Sequence, residues 1–182
     1  MSLLKNQLCT IDDIYALPDG VRGELIHGKM YMVAPPGRIH QEISQYLSMI
    51  IGSYITGHHG TCKIYPAPFA VFLNQDNLTY VEPDISVICD RSKLDDKGCQ
   101  GAPDWIIEIV SPSSKTMDYY KKLALYQSAG VREYWIIDPA KKIILVYNME
   151  HGDAPVIYFF HNIVPSFVIP GLHIDFSQLN LQ

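Results

Sequence analysis

Apolar positions recur along the chain with two different spacings, and the spacing identifies the elements. From residue 39 to residue 55 they follow helical spacing until Gly57, which predicts one long helix. Residues 24–33 are typical of two short strands around a His-Gly turn. The remaining apolar pattern predicts strands at residues 84–88, 133–137, 143–147 and 156–160. Residues 62–73 are predicted to form one strand that is kinked at Pro66 and Pro68. Residues 89–103 are polar and are predicted to form a mobile loop.

The most continuous apolar run covers residues 105–110 and contains a single carboxylate, Glu108. Such a run predicts a central strand that is buried on both faces. With a period of two, Ile106, Glu108 and Val110 share one face of that strand. Removing water from an ionised side chain costs several kcal/mol. Glu108 therefore needs a cation close by, either a metal ion or a lysine.

A helix is predicted from about residue 115 to residue 129, between the serines that precede it and Gly130, which ends it. The order strand, helix, strand predicts a right-handed crossover with parallel pairing. At about 100° per residue, Lys122 falls at the border of the apolar face, whereas Lys121 points elsewhere. Lys122 is therefore the lysine that we expect to face the sheet, and the alternative is a lysine that only covers apolar surface.

Composition bounds the class of protein. The chain has 182 residues, of which 48% are hydrophobic and 18% charged, which is typical of a single soluble domain over residues 1–182. No apolar run reaches the ~20 residues of a membrane span, and the first residues lack a secretory apolar region, so we expect a cytoplasmic protein. The four cysteines form no CxxC pair, which predicts free thiols rather than a zinc knuckle or a disulfide framework.

Charge is unevenly distributed. The net charge of -5 argues against a protein that coats nucleic acid nonspecifically, because such affinity comes from neutralised phosphates. Residues 115–142 are locally basic, and no Lys or Arg follows Lys142.

Four ionisable residues from separate elements form the candidate site: Glu24, Asp84, Glu108 and Lys122. Asp84 follows Pro83 and opens a buried strand, although an aspartate at a strand start also caps turns. Glu24 begins the predicted hairpin, where a solvated strand end is the plainer interpretation. Sequence alone does not bring the four together.

The histidines favour no metal site of their own. His40, in the first turn of the long helix, is expected to be a surface or hydrogen-bonded side chain. His58 and His59 follow the end of that helix, where they suit its dipole. Because HExxH or comparable spacing is absent, a histidine-based metal hydrolase is only a remote hypothesis.

The order of elements and four motifs resemble the restriction-endonuclease-like PD-(D/E)XK nucleases, and more narrowly the endonucleases grouped as domain of unknown function 820. The motifs are GELIHG at residues 23–28, PDISV at residues 83–87, EIVSPS at residues 108–113, and KLALY with the following AGVREYW at residues 122–135. The resemblance covers about residues 24–139. It implies an α/β fold with a restriction-endonuclease-like core: a mixed central sheet flanked by helices, with antiparallel hairpins at the edges.

One departure from the superfamily pattern concerns the lysine. The pattern has lysine two residues after the second acid, and this chain has Val110 there. In the resembled family the lysine function is displaced onto the following helix, where this chain has Lys122.

The resemblance implies a metal-dependent endonuclease that acts on DNA. Asp84, Glu108 and the carbonyl of Ile109 would hold Mg²⁺ or Mn²⁺. Lys122 would orient or deprotonate the attacking water, and Glu24 would hold Lys122, a water or a second ion. Glu82 is a less secure participant.

Two questions stay open at this point. Val110 and the acidic net charge also suit a catalytically silent binding module on the same fold. Nucleases on this scaffold often act as dimers, so a homodimer is an expectation. The uncharged strand at residues 156–160 serves equally well as an interface or as a core strand.

Overall fold

The computed structural model describes residues 8–112, 114–152, 154–179 and 181. Its helices are α1 (Ile11–Tyr15), α2 (Arg38–Gly57) and α3 (Leu123–Ala129), with a π-helix at Met117–Lys122 and 3-10 turns at Arg91–Lys93 and Phe176–Gln178. Its strands are β1 (Arg22–Ile26), β2 (Lys29–Val33), β3 (Lys63–Pro66), β4 (Val71–Phe72), β5 (Ile85–Ile88), β6 (Leu94–Asp95), β7 (Gly98–Gln100), β8 (Trp105–Ile109), β9 (Glu133–Asp138), β10 (Ile143–Asn148), β11 (Val156–Phe159), β12 (Ile163–Pro165) and β13 (His173–Asp175).

The central sheet has six strands in the order β11-β10-β9-β8-β5-β3. β8 and β9 pair in parallel across the crossover, and the other neighbours pair antiparallel. The predicted mixed sheet and the predicted parallel pairing are both confirmed. β8 lies inside the sheet, so its carboxylate enters the interior of the molecule.

The alternation of side chains along β8 divides the interior into two cores. Ile107 and Ile109 pack with the buried stripe of α2. Ile106 packs on the other face with Leu125 and Tyr126 of α3. Glu108 shares the parity of Ile106, so it faces the crossover helix, as the period of two predicted.

The long helix α2 follows the apolar stripe that predicted it. α2 runs for 20 residues and buries one face against the sheet, while the opposite face stays exposed. Within the described ranges no helix combines the length and apolar character needed to cross a membrane.

The β1–β2 hairpin is placed by a backbone bridge to a neighbouring segment. Leu25 exchanges two hydrogen bonds with Tyr80, at 2.7 and 2.8 Å. The bridge sets Glu24 beside Glu82, so a residue from the start of the chain reaches the edge of the central sheet.

The crossover helix differs from the continuous α-helix predicted over residues 115–129. Residues Met117–Lys122 are π-helical, and Leu123–Ala129 is regular α-helix. Gly130 ends it in the left-handed region with φ 89°, as expected of a glycine cap. Insertions of π-helix are frequent at functional sites. Here the π-helix buries both Asp118 and Lys122.

Two predictions about loops and strands are wrong in detail. The segment 62–73 is not one kinked strand, because β3 joins the central sheet and β4 joins a separate three-stranded sheet with β7 and β6. The segment 89–103 is not a plain loop, because it forms β6 and β7. The Asp95 side chain organises their turn by accepting hydrogen bonds from the amides of Lys97 and Gly98.

The expectation that all cysteines are free is also wrong. Cys62 and Cys89 form a disulfide, whereas Cys9 and Cys99 are free. The antiparallel register of β3 and β5 pairs Lys63 with Ile88. The next pair along the two strands is therefore Cys62 with Cys89. These residues are distant in sequence, so the spacing of the cysteines alone does not reveal that they are neighbours.

Candidate active site

A buried lysine connects two buried carboxylates at the centre of the site. Nζ of Lys122 donates to Oε1 of Glu24 and to Oε1 of Glu108, both at 2.9 Å. The three side chains are almost fully buried. Lys122, and not Lys121, thus faces Glu108, as its position on the helix predicted. Lys122 therefore supplies the cation that was predicted for the buried carboxylate of Glu108.

Tyr126 fixes the same carboxylate from one turn further along. Its hydroxyl donates to Oε1 of Glu108 at 2.7 Å, and its ring is fully buried. Oε1 of Glu108 therefore accepts two hydrogen bonds, one of them from a charged group. These contacts leave Oε2 on the side of Asp84, whose amide lies 3.4 Å from it.

Asp84 is held by the backbone of β8 and by α2. Its Oδ2 accepts the amide of Ile109 at 2.7 Å and lies 3.0 Å from Nε2 of His40. Its Oδ1 has no hydrogen-bond partner within the described part of the chain. One oxygen of Asp84 is thus fixed, and the other is available to a ligand in the adjacent cleft.

Glu24 and Glu82 take different positions. The backbone amide of Glu82 donates to Oε1 of Glu24 at 3.0 Å, so Glu82 helps to orient Glu24 through its main chain. The Glu82 side chain is occupied elsewhere, by Arg22 at 2.7 Å and by the Tyr80 hydroxyl at 2.6 Å. The carboxylate of Glu82 is therefore the least suited of the group to bind a ligand.

The site opens into a cleft of about 580 Å³. The charged residues that line it are five carboxylates and two cations: Glu24, Glu82, Asp84, Glu108, Asp118, Arg22 and Lys122. Because the excess of negative charge is confined to one partly enclosed space, a cation in the cleft would be strongly attracted.

Ionisation in the site is governed by burial and by the lysine. Burial raises the pKa of Glu108 well above its usual range, and the Lys122 ammonium opposes that shift. Burial alone would lower the pKa of Lys122, but Glu108 and Glu24 outweigh burial and hold the pKa of Lys122 well above that of a free lysine. Lys122 is therefore positively charged at neutral pH.

Asp118 is a third buried acid that acts on the same lysine, and it was not predicted from the sequence. Burial raises the pKa of Asp118 to about 6, opposed by Lys122 and by a hydrogen bond from Ser114. A signal was available, because residues 118 and 122 are four apart and share one helix face. His40 carried a similar signal, since it lies three and seven residues before the buried Ile43 and Leu47.

The oxygen donors fit a hard divalent cation. Asp84 and Glu108 line the same cleft with carboxylate side chains, and Mg²⁺ is bound through one or two carboxylates while it keeps several waters. No group of three His, Cys, Asp or Glu side chains in the described ranges is arranged to hold a metal ion. A metal that needs a full set of protein ligands, such as structural zinc, fits less well. Ile109 lines the cleft, and the role of its carbonyl stays a prediction.

The other histidines of the remote hypothesis do not join this site. His58 stacks on Tyr54, with ring centroids 3.9 Å apart, and its Nδ1 lies 3.0 Å from the Tyr54 carbonyl oxygen. It is an exposed residue at the end of α2. His40 alone reaches the cleft, as a partner of Asp84.

Comparisons with known proteins bear on the family and the fold of this chain. The family model Uma2, described as "Putative restriction endonuclease", matches residues 11–177. An uncharacterized protein of Synechocystis sp. is 26% identical over 133 residues, which are 71% of this chain and 68% of that protein. A crystal structure of a putative nuclease belonging to DUF820, from Anabaena variabilis, has a TM-score of 0.76 and 22% identity, and the alignment covers 93% of this chain and 96% of that one. At that identity the structural likeness shows the fold.

Proposed function

The chain belongs to the Uma2 family, described as putative restriction endonucleases, and from this premise we propose that it is a metal-dependent endonuclease that hydrolyses phosphodiester bonds in DNA. The observation that carries the proposal is the position of Lys122. Its ammonium lies 2.9 Å from Glu24 and from Glu108. Lys122 therefore places a lysine beside two acids, although Val110 occupies the position where the superfamily pattern has lysine.

Asp84 and Glu108 would hold the metal ion, Mg²⁺ or Mn²⁺, with the carbonyl of Ile109 as a further ligand. When bound, such an ion lowers the pKa of a water molecule and stabilises negative charge on a phosphate. The amide of Ile109 keeps the Asp84 carboxylate in place. His40 does the same from α2. Both contacts engage Oδ2 and leave Oδ1 free to bind the metal ion.

Lys122 would act by charge and position. Because it is protonated at neutral pH, it is poorly suited to remove a proton from water. It is well suited to donate a hydrogen bond to the attacking water or to a phosphate oxygen, where it stabilises the charge that develops. Glu24 would fix the direction of the ammonium and support its charge.

The proposal is tested by cleavage of supercoiled plasmid DNA with Mg²⁺, with Mn²⁺ and with EDTA. Wild type should nick or linearise the plasmid only with a divalent ion. Asp84→Asn, Glu108→Gln and Lys122→Met should each lower the rate by at least a hundredfold. Lys97→Met is the matched control, because Lys97 lies at a different surface cleft. Metal-dependent cleavage that is equal in all five proteins would overturn the assignment.

Titration of Mn²⁺ by calorimetry separates this proposal from a catalytically silent binding module. An active site of this kind should bind Mn²⁺ in wild type and lose most of that binding in Asp84→Asn. A protein that binds DNA, takes up no Mn²⁺ and never cleaves would be a binding module.

A homodimer would present two clefts to the two strands of a duplex. Edge strand β11 supports this arrangement, because Val156, Ile157 and Phe159 are 47%, 55% and 48% exposed and the strand carries no charge. Light scattering on a sizing column measures the mass directly, and a monomer at all concentrations would contradict the dimer.

A further inference from the structure

Three side chains form a positively charged cluster at the rim of the cleft, beside the site already described. Nζ of Lys121 lies 3.1 Å from the hydroxyl oxygen of Tyr31 and 4.8 Å from its ring centroid. Nζ of Lys29 lies 5.5 Å from the same centroid. Two ammonium groups from separate elements therefore meet at one tyrosine. We call Lys29, Tyr31 and Lys121 the rim cluster.

The hairpin register joins the rim cluster to the site. Tyr31 pairs directly with Glu24 in the antiparallel ladder, so their side chains share one face. Lys29 lies two residues from Tyr31 on the same face. Lys121 immediately precedes Lys122 on the π-helix. Tyr31 itself lines the cleft.

The rim lysines differ from the cations inside the cleft in their partners. Lys122 is paired with Glu24 and Glu108, and Arg22 is paired with Glu82. Neither Lys29 nor Lys121 has a carboxylate partner within the part of the chain that the structure describes. Both are exposed. Their charges are therefore available to an anion from outside.

Cation–π packing alone accounts poorly for this arrangement. Such a contact contributes about 0.5–1 kcal/mol at an exposed site, and two ammonium groups directed at one ring repel each other. An anion bound near both groups would offset this repulsion. The tyrosine adds a donor, because its oxygen accepts from Lys121 and its own proton is left to bond an anionic oxygen.

We propose that the rim cluster binds a backbone phosphate of the DNA strand next to the phosphate that is cleaved. The proposal rests on the DNA nuclease function proposed above. A polyanion that approaches a cleft with excess carboxylates is repelled, so productive binding needs unpaired cations at the entrance. Lys29 and Lys121 supply the charge, and Tyr31 supplies a directed hydrogen bond. They are positioning residues, because they hold the strand and do not touch the reacting atoms.

The experiment measures binding of a short fluorescein-labelled DNA duplex by anisotropy over a series of NaCl concentrations, with EDTA present to prevent metal-dependent cleavage. The slope of log affinity against log salt reports the number of phosphates that the protein neutralises. Lys29→Gln and Lys121→Gln should each reduce the magnitude of the slope by about one. Lys121→Arg should keep the wild-type slope, and Lys97→Gln should also keep it.

Cleavage assays give a second measurement on the same variants. The glutamine variants and Tyr31→Phe should raise KM several-fold at moderate salt and leave kcat within about twofold, as expected when binding and not chemistry is affected. A fall in kcat at unchanged KM would overturn the proposal.

The outcomes separate this inference from the proposed function. If wild type binds and cleaves DNA while both glutamine variants keep the full salt slope, the rim cluster is not a phosphate site and the nuclease function stands. If wild type neither binds nor cleaves DNA, the proposed function fails and the inference falls with it.

Discussion

Nζ of Lys122 and Oε1 of Glu108 are 2.9 Å apart, although one belongs to the π-helix and the other to β8. In the superfamily pattern the acid and the lysine lie two residues apart on one strand. Here Val110 occupies the lysine position, and the following helix brings the ammonium back to the acid. The crossover between β8 and β9 therefore brings Lys122 into contact with Glu108.

Replacement of Lys122 tests both the stability and the activity that this pair supports. Lys122→Met leaves Glu24 and Glu108 buried without their cation, which should lower the free energy of unfolding by about 3–5 kcal/mol. Urea denaturation measures this change. Plasmid cleavage should be lost at the same time, at temperatures where the variant remains folded.

The double variant Lys122→Met/Glu108→Gln distinguishes the two effects. Removing the unpaired charge should recover part of the lost stability, whereas cleavage should stay absent. A double variant that cleaves DNA normally would show that the pair has only a structural role.

Much of the fold follows from patterns that are local in sequence. The helical spacing of apolar residues predicts α2, and the continuous apolar run predicts β8. Both elements form at the predicted positions. The orientation of Lys122 follows from the same reasoning, because its neighbours Leu125 and Tyr126 define the buried face of the helix. Local periodicity is sufficient when one face of an element is buried along its whole length.

Features that depend on distant partners were not predictable in this way. The disulfide of Cys62 and Cys89 depends on the register of two strands, and the position of His40 depends on how α2 crosses the sheet. The π-helix that buries Asp118 has no sequence rule comparable to a cap or a turn. Each of these features arises from tertiary packing that overrides local preference.

His40 should contribute to metal binding through Asp84. Its Nε2 lies 3.0 Å from Oδ2 of Asp84, and partners of this kind typically change metal affinity or activity by about 10- to 100-fold. His40→Ala should weaken Mn²⁺ binding by calorimetry within that range. His58→Ala is the control, because His58 stacks on Tyr54 outside the cleft, and equal losses in both variants would contradict a specific role.

Tyr126→Phe should show how much the orientation of the Glu108 carboxylate contributes to activity, apart from its charge. The substitution removes the hydroxyl that lies 2.7 Å from Oε1 of Glu108 and keeps the buried ring. We expect a loss of about 1–2 kcal/mol in stability and a decrease in kcat that is smaller than in Glu108→Gln. Tyr147→Phe, which lies outside the contacts of Glu108, is the control. An unchanged kcat in Tyr126→Phe would mean that Lys122 alone orients the acid.

Asp118 should make stability depend on pH with a definite sign. Its pKa is raised from 3.8 to about 6, chiefly by burial, so the folded state holds the proton more tightly than the unfolded state. The contribution of Asp118 to the free energy of unfolding should therefore fall as pH rises from about 4 to about 6 and change no further above that range. Asp118→Asn removes this loss and should be more stable than wild type at pH 7.5 by on the order of 2 kcal/mol.

The measurement is urea denaturation of both proteins at a series of pH values, and the stability difference should shrink toward zero at the acidic end. Asp90→Asn is an informative control, because hydrogen bonds from Ser92 lower the pKa of Asp90. That variant should lose stability relative to wild type as pH rises, the opposite sign. If Asp118→Asn is less stable than wild type at neutral pH, the ionised carboxylate stabilises the fold, and its attraction to Lys122 outweighs the cost of burial.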